Sequence, residues 1–122
     1  GVREQRAAVV EGVKKLLKRE LSASQLAESW KAIPLLLLFD WFCDWSSLIL
    51  RYQLTQDEAG LGLEDMRKVL QYLAQKTPQD KVLTIQDWIL AQRQKVLSKA
   101  NLNRDLLLEA LLVQWAGLPG QR

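Results

Sequence analysis

Asp40 and Asp44 are the residues of this chain whose type and spacing come nearest to a reactive pair. Four positions apart on a helix, their carboxylates would face one side, where they could share a proton or a cation. Helical two-metal sites set such carboxylates against a second carboxylate-bearing helix, with His three positions on. The 122 residues include no His, so Asp40 and Asp44 read as a solvated or salt-bridged strip with Ser47 and Arg51 rather than as a metal or acid–base site. The lack of His also removes His-based acid–base catalysis and His-containing zinc or iron sites. Cys43 is the one Cys. It has no thiol to pair with and no His to activate it, and it falls near the apolar side of its helix. It reads as a structural thiol that fits a reducing cytoplasm. Gly60-Leu61-Gly62 lacks the third Gly and the preceding strand of a phosphate-binding loop, and no Walker lysine pattern occurs, so this stretch reads as a flexible turn. No catalytic, cofactor-binding or metal-ligating residue is expected.

Charge offers a second kind of chemistry. Lys and Arg number 17 against 14 Asp and Glu, a formal charge of +3. Residues 1–20 hold six basic and three acidic side chains, so the whole excess lies there. Lys14, Lys15, Lys18 and Arg19 on this first segment define the alternative functional reading, a small helical nucleic-acid-binding module. A solvated helix face accounts for them as well. No aromatic side chains are interleaved with the basic ones in the manner of a single-strand stacking platform.

The elements that must carry these residues are all helical, because the apolar pattern repeats every 3.6 residues and no stretch alternates with period two. The expectation is an all-α protein, a compact bundle of about six antiparallel helices in one domain spanning residues 1–122. The first helix runs from about Val2 to Arg19, with Val2, Val9, Val13, Leu16 and Leu17 in one stripe. Ser22-Ala23-Ser24-Gln25 has capping-box spacing and opens a short second helix through Trp30. Pro34 starts or kinks the third, which extends to about Leu54. There Leu37, Trp41, Trp45, Leu48 and Tyr52 share a face, while Phe39, Phe42, Cys43, Ile49 and Leu50 cover much of the rest. A helix this apolar belongs at the centre of a bundle. Asp40 and Asp44 lie within it, and a charge at mid-bilayer costs about 2.5–3.5 kcal/mol, so no membrane span is expected. The charged N-terminus is no signal peptide, and an initial Gly instead of Met points to a segment of a longer protein. Leu63, Met66, Val69, Leu70 and Leu73 mark a fourth helix ending near Lys76. Thr77-Pro78-Gln79-Asp80 reads as a helix start with a Thr cap and Pro in first position. The fifth helix turns Val82, Ile85, Ile89, Val96 and Leu97 inward. Asn103 caps the sixth, Arg104 to Ala116, which has Leu on every side.

Five Trp in so short a chain is the compositional excess, and Trp serves cores and interfaces alike. Trp88 points away from the Val82/Ile85/Ile89 stripe and shares its flank with Lys81, Gln92, Lys95 and Lys99. It is either a partner contact or packed against the first or fourth helix. Leu108, Leu112 and Trp115 raise the same question, because a terminal helix apolar all round offers more surface than one small bundle readily buries. Trp88, Lys95, Leu108, Leu112 and Trp115 are therefore the candidate interface residues.

The segment from Ala100 through Asn101-Leu102-Asn103-Arg104-Asp105-Leu106-Leu107-Leu108-Glu109-Ala110-Leu111-Leu112 resembles the last helix of the delta-prime subunits of bacterial DNA polymerase III. There a hydrophobic-Asn-Arg-acid-Leu-Leu start precedes a leucine-rich helix. The tract from Leu36 to Leu54, with Trp41, Trp45 and Arg51, is similar to that family's Trp-containing helix, although Ser46-Ser47-Leu48 stands where the family has an Arg-Asp pair. The resemblance implies a C-terminal collar domain following ATPase-like modules, with no reaction or cofactor of its own. It implies packing against the C-terminal domains of the gamma/tau and delta subunits of a cytoplasmic clamp loader in DNA replication. Sliding clamp and primed DNA would be met only through the whole complex.

Overall fold

The computed structural model describes residues 1–99 and 101–120; Ala100, the first residue of the leucine-rich segment singled out above, and the last two residues of the 1–122 domain lie outside the described residues. The described residues form six α-helices and one short 3-10 turn: α1 (Val2–Leu17), α2 (Ala23–Ser29), α3 (Leu35–Thr55), the turn Glu58–Leu61, α4 (Glu64–Lys76), α5 (Gln79–Leu97) and α6 (Arg104–Ala116). There is no strand among the described residues. The expected all-α class and helix order hold.

Local sequence explains most of the boundaries. Ser22 Oγ accepts from Gln25 N at 3.1 Å, and Gln25 Oε1 accepts from Ser22 N at 2.8 Å, a complete capping box at the start of α2. Asn103 Oδ1 accepts from Leu106 N at 3.1 Å and caps α6. Pro34 precedes the first turn of α3 and does not kink it. Two expectations are corrected. Thr77 does not cap α5: it ends α4 in extended conformation, and Pro78 takes the N-cap position. Only these two residues separate the helices, and a residue before proline is held out of the helical region. Gly60 and Leu61, expected in a flexible turn, belong to the 3-10 turn. Asp57 Oδ1 accepts from Ala59 N, the 3-10 turn forms, and Leu61 is fully buried. Gly62 alone has a left-handed φ there, +80°.

α3 lies at the centre, packed on α4, α5 and the 3-10 turn. Its buried line is Leu38, Phe39, Phe42, Trp45, Ser46, Ile49 and Tyr52, rotated from the expected Leu37/Trp41/Leu48 face, whose members are half-buried. Phe42 is the hub, with ring centroids 5.0 Å from Trp45, 4.9 Å from Trp115 and 6.3 Å from Trp30. The first two contacts are edge-to-face, the arrangement favoured by the ring quadrupoles. Gly12 allows α1 to approach closely, since a Cβ there would meet the Trp30 ring at 2.7 Å and Leu26 at 2.8 Å.

α3 and α5 run antiparallel in a register fixed by polar pairs. Arg93 Nε donates to Asp40 Oδ1 at 2.5 Å, and Gln86 Nε2 donates to Ser47 Oγ at 2.7 Å and Ser46 Oγ at 3.1 Å. The last four residues described are fastened to the α4–α5 joint. Gly120 N donates to Lys76 O at 2.8 Å, Lys81 Nζ donates to Gly117 O, and Leu118 is buried.

Candidate protein-interaction surface

The residues expected to do chemistry do not converge. Asp40 is committed to Arg93, whereas Asp44 is exposed one turn away. Among the described residues no group of three or more Cys, Asp or Glu is placed to hold a metal ion. Cys43 is half-buried beside this pair, and burial pushes its thiol above the ordinary range. Arg93 opposes that rise and the two Asp add to it. A raised thiol pKa leaves less thiolate at neutral pH, so alkylation by iodoacetamide should climb only above the pH range of an exposed thiol. Arg93→Gln removes the opposing charge and should move the profile to still higher pH. A rate profile matching that of an unstructured cysteine peptide would contradict this placement.

The candidate interface residues divide. Leu108, Leu112 and Trp115 are each 0% exposed, so the expectation that they offer surface to a partner is corrected. α6 packs on α2, and Trp115 meets the Phe42 ring of the central helix. Trp88 is half-buried, its ring 6.2 Å from that of Phe39 on α3. Its ring contact is thus with the central helix. Lys95 is exposed and, among the described residues, belongs to no ion pair.

The apolar surface that remains free lies elsewhere. Leu83, Leu90 and Leu97 on α5 are 45%, 44% and 46% exposed, and their spacing of seven keeps them on nearly one side of the helix. Over fourteen residues the row is about 21 Å long at 1.5 Å per residue. Leu97, expected to turn inward, belongs to this row. The register with α3 puts it level with Leu36, at the beginning of α3. Leu106 and Val113, 66% and 58% exposed, repeat the same spacing on the outer side of α6. A search for exposed positions seven apart would have found both rows, whereas a search for the inward stripe did not.

Sequence reading also missed Arg104. Its Nη2 donates to Trp30 O at 2.9 Å and Ile33 O at 2.6 Å, tying the start of α6 to the α2–α3 joint. These carbonyls follow the end of α2, and Trp30 O also accepts from Ile33 N at 2.9 Å. The signal was present in the leucine-rich segment, where Arg104 is the only cation.

The basic residues of α1 are spread over different surroundings. Lys14 and Lys18 border a groove shared with α4, Lys15 is exposed, and Arg19 edges another depression with Leu16 and Val113. No helix among the described residues is long and apolar enough to cross a membrane.

This bundle can be set beside known proteins. Residues 2–117 match the family model described as DNA polymerase III, delta subunit, C terminal. The chain is 76% identical over 120 residues to DNA polymerase III subunit delta' of Pseudomonas aeruginosa, covering 98% of this chain and 37% of that protein. It thus spans a little over a third of the length of that curated relative. No solved structure matches it.

Proposed function

The chain belongs to the family of C-terminal domains from the delta subunit of DNA polymerase III, and from that premise we propose that it serves a clamp loader as an assembly domain with no reaction of its own. It is a single helical domain, the C-terminal part of a longer chain with ATPase-like modules. It packs side by side with the C-terminal domains of gamma/tau and delta to form a collar, and meets sliding clamp and primed DNA only through the whole complex.

The observation that supports this reading is the row Leu83, Leu90 and Leu97, left half-open along α5. Apolar side chains at this spacing present the ridge that packs into the groove of a neighbouring helix. Polar supports beneath it, Arg93 on Asp40 and Gln86 on Ser46 and Ser47, hold α5 on the bundle and so keep the row in place. In this reading Trp88 anchors α5 from the other flank, and Lys95 stands at the rim.

Sedimentation of the chain alone, then mixed with the C-terminal domains of gamma/tau and of delta, tests the proposal. A co-sedimenting species that survives raised salt is expected, because apolar contacts are not screened. Failure to associate with both domains would overturn it.

A further inference from the structure

We propose that the groove between α1 and α4 is a docking site for an acidic peptide segment bearing apolar side chains. The groove has a volume of about 590 Å³, within the range of roughly 300–1,000 Å³ that takes a small ligand or a few side chains. It is far from the size of a whole protein–protein face. The apolar lining comes from Leu17, Val69 and Tyr72, of which Tyr72 is 45% exposed.

Four cations edge the groove, Lys14, Lys18, Arg67 and Lys68, against the carboxylates Glu64 and Asp65. Asp65 is already committed: its two oxygens accept from Arg6 Nε and Nη2 at 3.1 and 3.0 Å. Arg6 in turn lies over the Trp45 ring, 5.6 Å from its centre, which holds that pair against the bundle. Lys14 has only a 3.9 Å approach from Glu11, and Lys18 and Lys68 belong to no ion pair among the described residues. Arg67 gives Nη2 to Gly62 O at 3.2 Å, while its Nε is shielded from water with no partner. The groove therefore holds a surplus of uncommitted positive charge around an apolar floor. This is the complement of a segment whose aliphatic or aromatic side chains are flanked by carboxylates. A nucleic acid fits less well. A groove of this volume takes a few side chains, and Leu17 and Val69 reward aliphatic side chains that a polynucleotide lacks, with Tyr72 the one ring of the lining on which a base could stack.

The site is separate from the leucine row on α5, and its test is independent of the collar. The probe is a fluorescein-labelled peptide alternating Asp and Glu with Leu and Phe, read by fluorescence anisotropy. The same peptide with Lys in place of the acids and a labelled oligothymidylate are run beside it. The acidic peptide should bind, more weakly as salt rises. Lys18→Glu with Lys68→Glu should weaken it about tenfold or more, and Tyr72→Ala several-fold, whereas Lys15→Glu, outside the groove, should leave it unchanged. All these side chains are exposed, so circular dichroism should show the helices intact. Absence of acidic-peptide binding, equal binding of the lysine peptide, preference for the oligothymidylate, or indifference to the double charge reversal would each overturn the assignment.

Discussion

Phe42→Ala is expected to destabilise the bundle by about 3–5 kcal/mol, the range for removing a buried aromatic and leaving a cavity. Phe42 is 0% exposed and touches the rings of Trp30, Trp45 and Trp115, which come from the end of α2, from α3 and from α6. Its removal leaves those three rings facing an empty space that none can fill without turning out of its own packing. A domain of this size has a total stability of roughly 6–18 kcal/mol at 0.05–0.15 kcal/mol per residue, so the loss is a large share of the whole. Urea unfolding should show a much lower midpoint with little change in slope. Trp88→Ala should cost less, since Trp88 is only half-buried and meets a single ring. Equal losses at the two positions would mean that the ring cluster is not the centre of the core.

The second large effect concerns assembly. Changing Leu83, Leu90 and Leu97 together to Glu should weaken association with the gamma/tau or delta domains at least a hundredfold. A factor of ten in affinity corresponds to about 1.4 kcal/mol, and burying unpaired carboxylates in an apolar contact costs more than twice that. The fold should survive, because the three side chains are half-open already and exposed substitutions usually shift stability by less than about 0.5 kcal/mol. Sedimentation with each partner domain measures the loss, and urea unfolding checks the fold. Leu112→Glu is no substitute for this test: Leu112 is 0% exposed, and a charge there would unfold the chain and abolish association for the wrong reason. Undiminished association of the triple variant would remove α5 from the interface.

The helices are legible in the sequence because several local signals agree. The period of 3.6, the Ser22/Gln25 box and the Asn103 cap each mark the same elements that form. What the outside of a helix meets is not a local property. α6 is apolar around most of its circumference, and periodicity alone cannot say which of its leucines faces Phe42 and which faces water. For that reason the pattern admits Leu108, Leu112 and Trp115 as interface candidates and turns Leu97 inward, whereas the fold buries the first three and leaves Leu97 half-exposed. The answer depends on where α3 begins relative to the end of α5, a register set by Arg93 on Asp40 and Gln86 on Ser47 across long separations in sequence. The groove between α1 and α4 is equally hidden, since its walls come from segments some fifty residues apart. Thr77 misleads for a simpler reason: a Thr before Pro fits a cap and an extended joint equally well, and only the two-residue gap between α4 and α5 decides.

The fastening of residues 117–120 onto the α4–α5 joint, with Leu118 buried beneath, bears on how the molecule is made. Leu108, Leu111, Leu112, Trp115 and Leu118 complete the core around rings contributed by residues 30 to 45. Synthesis adds residues one at a time from the other end, so a nascent chain that has reached α5 carries its aromatic cluster with one wall missing. Until residue 118 leaves the ribosomal exit tunnel the domain cannot close. Throughout that interval Phe42 lacks the Trp115 ring that covers one of its sides in the finished fold.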